Sequence, residues 1–151
     1  MLKTLKLRGI YMEFGFDIGE LVILLPEIEV LVLESPPLNY NDLRKIATNL
    51  PALRFLSVPL STIEFPELSA NDSVVAQLPI TIEFNNYPFH YSYNKKLIKK
   101  TAAFVHRMWP NVNFVSSKVS GHERLSSSAQ LLNSEVARLR RHHATLSRRK
   151  N

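Results

Sequence analysis

Two stretches of this chain are near copies of one another. They are Leu25-Pro26-Glu27-Ile28-Glu29-Val30-Leu31-Val32-Leu33 and Leu50-Pro51-Ala52-Leu53-Arg54-Phe55-Leu56-Ser57-Val58. Each is a Leu-Pro step, then an apolar residue, two spacers, a second apolar residue, one spacer and a third. Pro26 and Pro51 stand 25 residues apart, and so do Leu31 and Leu56. A period of that size constrains the fold more than any other feature of the chain. A unit so short cannot bury both of its apolar faces alone, so copies must stack side by side.

The rest of the chain follows the same grammar. Leu5 and Leu7 alternate with Lys6 on a first short strand, 26 residues ahead of Leu31 and Leu33. Asp17 is a plausible N-cap for a helix whose apolar face is Ile18, Leu21, Val22 and Leu25, ended by Pro26. A strand over 28–33 follows. Asn41 or Asp42 then caps a helix with face Leu43, Ile46, Ala47 and Leu50, ended by Pro51. The third strand covers 53–58. After it the period loosens: Asp72 or Ser73 starts a short helical turn through Val74, Val75 and Leu78, and Ile80–Phe84 alternates as a fourth strand. A longer helix from Asn94 carries Leu97, Ile98, Ala102, Val105 and Met108/Trp109 on a broad face. It ends in Trp109-Pro110-Asn111-Val112-Asn113-Phe114-Val115, the same phrase again and so a fifth strand.

Residues 116–124 read as a polar linker. In 125–151, Leu125, Ala129, Leu132, Val136, Leu139, His143 and Leu146 follow a 4-3 heptad spacing, so the tail reads as a basic amphipathic helix, partly disordered. Such a seam either pairs with another helix or folds back on the last unit. The division is therefore a repeat-like domain over 1–115, a linker, and the helical tail.

The chain resembles a leucine-rich-repeat segment, in particular the repeat region of the F-box/leucine-rich-repeat proteins found as divergent families in fungi. The matching residues are Leu2-x-x-Leu5-x-Leu7, Ile28-x-x-Leu31-x-Leu33, Leu53-x-x-Leu56-x-Val58 and Val112-x-x-Val115, within residues 1 to about 115. That resemblance implies an α/β fold, a short leucine-rich-repeat solenoid of parallel strands with outer helices. It also implies a role in protein recognition, with ubiquitin-ligase subunits as partners if the missing F-box is supplied elsewhere. The F-box itself is not found. Leu25-Pro26-Glu27-Ile28 looks like the start of one, but an alternating strand follows it. The family's usual Asn or Cys after the strand is replaced by Ile10, Pro36 and Ser61.

Charge divides the chain. Residues 1–93 carry 6 Lys+Arg against 11 Asp+Glu, a balance of −5, while residues 94–151 carry 13 against 2, a balance of +11. Two surfaces with different partners are expected. With no cysteine, disulfides are excluded and an intracellular setting, cytoplasm and/or nucleus, is favoured. The longest aliphatic run, Leu21–Leu25, is too short to cross a bilayer, and the N-terminus shows no secretion signal.

No grouping of residues demands catalysis. There is no Gly-x-Ser-x-Gly turn, no phosphate-cradling glycine loop, and no His pair at metal-ligand spacing, so no cofactor or metal is expected. His90, His106, His122, His142 and His143 read as ordinary helix and loop residues. The expected function is a protein-protein interaction module, non-enzymatic, whose strand-face contacts are Lys6, Glu29, Val32, Arg54, Phe55, Ser57, Glu83 and Asn113. The rival reading is nucleic-acid binding. It draws on the aromatic run Tyr87, Phe89, Tyr91 and Tyr93, the basic cluster Lys95, Lys96, Lys99, Lys100 through Arg107, and the C-terminal Arg138, Arg140, Arg141, Arg148, Arg149 and Lys150. The Lys95–Lys100 cluster also reads as the solvated face of its helix, and the C-terminal clusters as an import signal or a solubilising basic tail.

Overall fold

The computed structural model describes residues 2–8, 17–61, 76, 78–85, 95–116 and 123–148, the last with backbone alone at 123–127 and 148. Five strands form one parallel sheet in chain order: β1 (Thr4–Leu7), β2 (Val30–Leu33), β3 (Phe55–Val58), β4 (Ile80–Phe84) and β5 (Val112–Val115). Helices α1 (Ile18–Leu24), α2 (Tyr40–Asn49) and α3 (Lys95–Met108) lie between strands, and α4 (Glu123–Arg148) follows the last. Parallel neighbours require such crossovers, since a hairpin turn would reverse the strand. The chain is therefore α/β, with the sheet predicted from the repeated phrase.

The phrase has a defined local structure. In all three copies the residue before proline ends the helix, and its carbonyl accepts a hydrogen bond from the residue three further on. These bonds are Ile28 N–H to Leu25 O at 3.2 Å, Leu53 N–H to Leu50 O at 3.1 Å and Val112 N–H to Trp109 O at 3.1 Å. Proline at the second position of such a turn has its φ already set and has no N–H to leave unpaired. The step therefore stops a helix and aims the chain into the next strand. Ile28 and Leu53 are buried just ahead of β2 and β3, which start two residues later than the expected 28–33 and 53–58.

Register aligns the apolar residues into rows. Leu5, Leu31, Leu56, Ile82 and Phe114 are successive partners across the sheet; Leu7 pairs with Leu33, and Val58 with Phe84. All of these pack in or against one core with Ile18 and Val22 of α1, Leu43, Ile46 and Ala47 of α2, Ala102, Phe104 and Val105 of α3, and Leu132 and Val136 of α4. Because strand side chains alternate, the helices and the core lie on one side of the sheet.

One detail differs from the expected pattern. The N-cap of α2 is Asn39 rather than Asn41 or Asp42. Its side chain accepts from Asp42 N–H at 3.0 Å, while the Asp42 carboxylate accepts from Asn39 N–H at 3.0 Å, a reciprocal capping box. The earlier start brings Tyr40 fully into the core. Its ring meets Phe104 edge-on, with centroids 5.0 Å apart, and its hydroxyl bonds the Thr101 hydroxyl at 2.8 Å. The expected turn through Val74 and Val75 lies outside the described residues.

The tail helix folds back on the last unit. Parallel pairing leaves Phe114 with its N–H and C=O facing away from β4, an unpaired edge. The Asn133 carboxamide meets both: its Oδ1 accepts from Phe114 N–H and its Nδ2 donates to Phe114 O, each at 2.8 Å. Arg140 continues the seal, with Nε donating to Pro110 O at 2.9 Å and Nη2 to Val112 O at 2.8 Å. Leu132 and Val136 are buried, Ala129 partly so, and Leu146 is exposed, so the seam's inner half packs and its last turn does not. Among the described residues no helix is long and apolar enough to cross a membrane.

Candidate interaction surface

The face of the sheet opposite the helices carries two rows that cross all five strands. One is Thr4, Val30, Phe55, Thr81 and Asn113; the other is Lys6, Val32, Ser57, Glu83 and Val115. None of these residues belongs to the core cluster packed under the helices, although Val32 is itself buried. The strip is apolar in its middle and charged at two points, Lys6 and Glu83.

Accessibility is graded along it. Thr4, Lys6 and Asn113 are exposed, whereas Val30, Phe55, Thr81, Glu83 and Val115 are half-buried. Val32 and Ser57, in the centre, are only 6% and 3% exposed. Asn85, one residue past β4, contributes to that covering. Its Nδ2 donates to Ser57 Oγ at 3.3 Å and to Leu33 O at 3.0 Å, and its N–H donates to Val58 O, so the carboxamide ties β2, β3 and β4 together. Asn85 carried no signal in the sequence, because its role depends on a neighbour two strands away.

Of the expected contacts, Lys6, Val32, Phe55, Ser57, Glu83 and Asn113 fall on this face. Glu29 and Arg54 stand one residue before β2 and β3, in the alternation of Leu31 and Leu56. There Glu29 O accepts Arg54 N–H at 2.8 Å and the Glu29 carboxylate meets Lys3 Nζ at 2.7 Å. The Lys3 ammonium holds the Glu29 carboxyl below its usual range, first through that bond and then through its charge, with Arg54 adding a smaller effect. Lys3, Glu29 and Arg54 thus form a separate charged edge across the first three strands. Thr4, Val30, Thr81 and Val115 were missed as face residues, although counting in twos from the buried leucines finds each of them.

The basic residues do not gather at one point. Lys95, Lys96, Lys99 and Lys100 are exposed on the first turns of α3. Lys95 and Lys99 share a groove with Leu131, Ser134 and Glu135 of α4, while His106 of α3 stacks near His143 of α4 with ring centroids 5.6 Å apart. The two helices therefore run side by side in the same direction. The centres of the lysine cluster and of the Arg140–Arg141 cluster lie about 10 Å apart along them. Arg138 is paired with Glu135 at 2.8 Å, and Arg140 is held by the two carbonyls of the β5 edge. The Arg148 side chain, Arg149, Lys150 and the aromatic run at Tyr87–Tyr93 lie outside the described residues.

His106 is the one imidazole taken into the protein among those described. It is buried, and its Nδ1 has no hydrogen-bond partner. Burial pushes its pKa below the ordinary 6.5, and the neighbouring His143 and Arg140 push in the same direction against a hydrogen bond to the Pro110 backbone. Among the described residues no three His, Asp or Glu side chains are grouped to hold a metal ion. Compared with protein families, curated proteins and solved structures, the chain matches none of them.

Proposed function

We propose that this chain is a non-enzymatic protein-interaction module of the leucine-rich-repeat kind, which receives a protein partner on the strand face opposite its helices. One observation carries the reading. The sheet holds two in-register rows of side chains across five parallel strands, on the side where the core does not lie. A rigid backbone ladder spaces these side chains by a fixed ~4.8 Å per strand, which suits recognition of an extended surface. The accessible contacts are Val30, Phe55, Thr81 and Glu83, with Lys6 and Asn113 at the two ends. Half-buried aromatic and aliphatic residues flanked by charge match the make-up of interface centres. On the family resemblance, the partner would be a substrate delivered to a ubiquitin ligase whose docking motif is supplied elsewhere.

The test is affinity capture from the native cell with the unaltered protein, Phe55→Glu, Glu83→Lys, and Asn41→Glu on the exposed side of α2. A partner retained by the unaltered and Asn41→Glu proteins and lost with the two face variants supports the reading, and ligase subunits among the captured proteins support the finer one. Equal capture by all four overturns the face assignment. Retention on immobilised RNA or DNA that falls steeply with salt and needs residues 123–148 would favour the nucleic-acid rival instead.

A further inference from the structure

α3 and α4 leave between them a groove of about 430 Å³, lined by Lys95, Ile98, Lys99, Leu131, Ser134 and Glu135. Its apolar lining is Ile98, which is buried, and Leu131, which is 41% exposed. Lys95 and Lys99 stand on its rim one helical turn apart, about 6 Å along α3. Both are exposed, and among the described residues no salt bridge engages either. The acid in the groove, Glu135, is already held by Arg138 at 2.8 Å, so it leaves the lysines' charge uncompensated. The groove is therefore apolar inside and basic at its rim.

The helix layer carries the complementary shape at its other end. Among the described residues the two most exposed large hydrophobic side chains are neighbours on α1: Ile23 is 67% exposed and Leu24 75%. Exposed aliphatic residues scattered singly need no explanation, but this pair stands between two exposed carboxylates. Glu20 lies one turn before Leu24, and Glu27 follows in the turn that ends the helix. Among the described residues no salt bridge engages either acid. The outer side of α1 is thus an apolar ridge with an acid toward each end. The same division runs through the whole chain, with a balance of −5 over residues 1–93 and +11 over residues 94–151.

From this match we infer that the α1 ridge of one copy docks in the α3–α4 groove of a second copy. Ile23 and Leu24 meet Ile98 and Leu131, while Glu20 and Glu27 meet Lys95 and Lys99. The occupant is a second copy because the chain itself supplies both halves of the contact. The two halves cannot meet within one copy. α1 follows β1 at one edge of the sheet and α4 follows β5 at the other, four strand spacings or about 19 Å away. Ridge and groove are different patches, so the interface is heterologous and the assembly extends head to tail, as a ring or a filament. Both patches belong to the helix layer and neither uses the strand face, so the inference does not depend on the partner proposed for that face.

Sedimentation velocity and light scattering of the full chain test it, from about 1 μM to about 500 μM protein. The mass should rise with concentration at low salt and fall back as salt is raised, because the ion pairs lie at the rim of the contact. Glu20→Lys with Glu27→Lys reverses the ridge, and Lys95→Glu with Lys99→Glu reverses the groove. Each double variant alone should self-associate at least about tenfold more weakly, with a far-ultraviolet spectrum and melt that match the parent. Mixed in equal amounts, the two should assemble again, since each then offers the sign that the other lacks. Leu24→Asn places on α1 the residue that α2 carries one unit later, at Asn49. It leaves every charge in place and should weaken self-association by about tenfold. A parent that stays monomeric over the whole range overturns the inference. So do reversed variants that assemble as well as the parent, or that remain apart when mixed.

Discussion

Replacing Asn133 tests how the sheet is ended. In Asn133→Ala the Phe114 N–H and C=O each lose a partner at 2.8 Å in a half-buried setting. A lost hydrogen bond of this kind costs about 1 kcal/mol net, so the pair costs about 2 kcal/mol. Alanine returns about 0.5 kcal/mol through its better helix propensity on α4, which leaves about 1.5 kcal/mol of destabilisation. With a urea m-value of about 2 kcal/mol/M, the unfolding midpoint falls by about 0.75 M. Asn133→Asp is more discriminating. A carboxylate still accepts from Phe114 N–H but faces the Phe114 carbonyl with no donor, so at neutral pH it should cost at least as much as alanine. Protonation restores the donor. The folded-state pKa of the new carboxyl is then raised by its carbonyl neighbour, and the deficit relative to the unaltered protein should narrow as pH falls through that raised value. Equilibrium urea unfolding of the three proteins from pH 7 to pH 4 measures both effects. An alanine variant within about 0.5 kcal/mol of the parent, or an aspartate deficit that does not change with pH, would refute the edge-sealing account.

Three further outcomes follow from the packing. Tyr40→Phe removes one half of the buried hydroxyl pair with Thr101 and should cost about 1–2 kcal/mol. Tyr40→Phe with Thr101→Val should cost less than the sum of the single changes, because no polar group is then left unpaired; additive losses would contradict the bond. Leu56→Ala, at the centre of the core row and fully buried, should cost about 2–5 kcal/mol by thermal or urea unfolding. Acidification should loosen the α3–α4 contact. Among the described residues His106 faces His143 and Arg140 with no carboxylate within salt-bridge distance, and its proton affinity is lowered in the fold. The unfolded chain therefore binds a proton more readily, so stability is full above the ordinary 6.5 and declines as pH falls through that value toward the lowered one. His106→Gln should flatten this slope between pH 7 and 5, and an unchanged slope would place its origin elsewhere.

Much of the fold was legible because the determining signals are local and repeated. The X-Pro step fixes where a helix stops, and alternation in twos assigns the apolar residues of the next strand to one face. That sufficed for all five strands, including β5 after Trp109-Pro110, despite the drift in repeat length. Local signals also misplace boundaries when two readings compete. Asn39, Asn41 and Asp42 are all good caps, and the choice was made by Tyr40, whose place in the core depends on Thr101 and Phe104 some sixty residues away. The interaction face was half legible. Its rows follow from counting, but Glu29 and Arg54, expected on the face with the others, stand where the chain is only entering the strand and in the alternation of the buried leucines. The sealing of β5 was not legible at all. Asn133 in a helical heptad pattern looks like any solvent residue, and its partners are backbone atoms with no sequence signature.

The central claim is that the strand face opposite the helices meets a protein partner. Site-specific photo-crosslinking in the native cell tests it most directly, with a photoreactive side chain placed at Phe55 on that face or at Asn41 on the exposed helix side. The account predicts one recurrent adduct from position 55, absent from position 41 and lost when Glu83→Lys is added. Adducts of the same identity and yield from both positions, or none from position 55 while position 41 gives one, would contradict it.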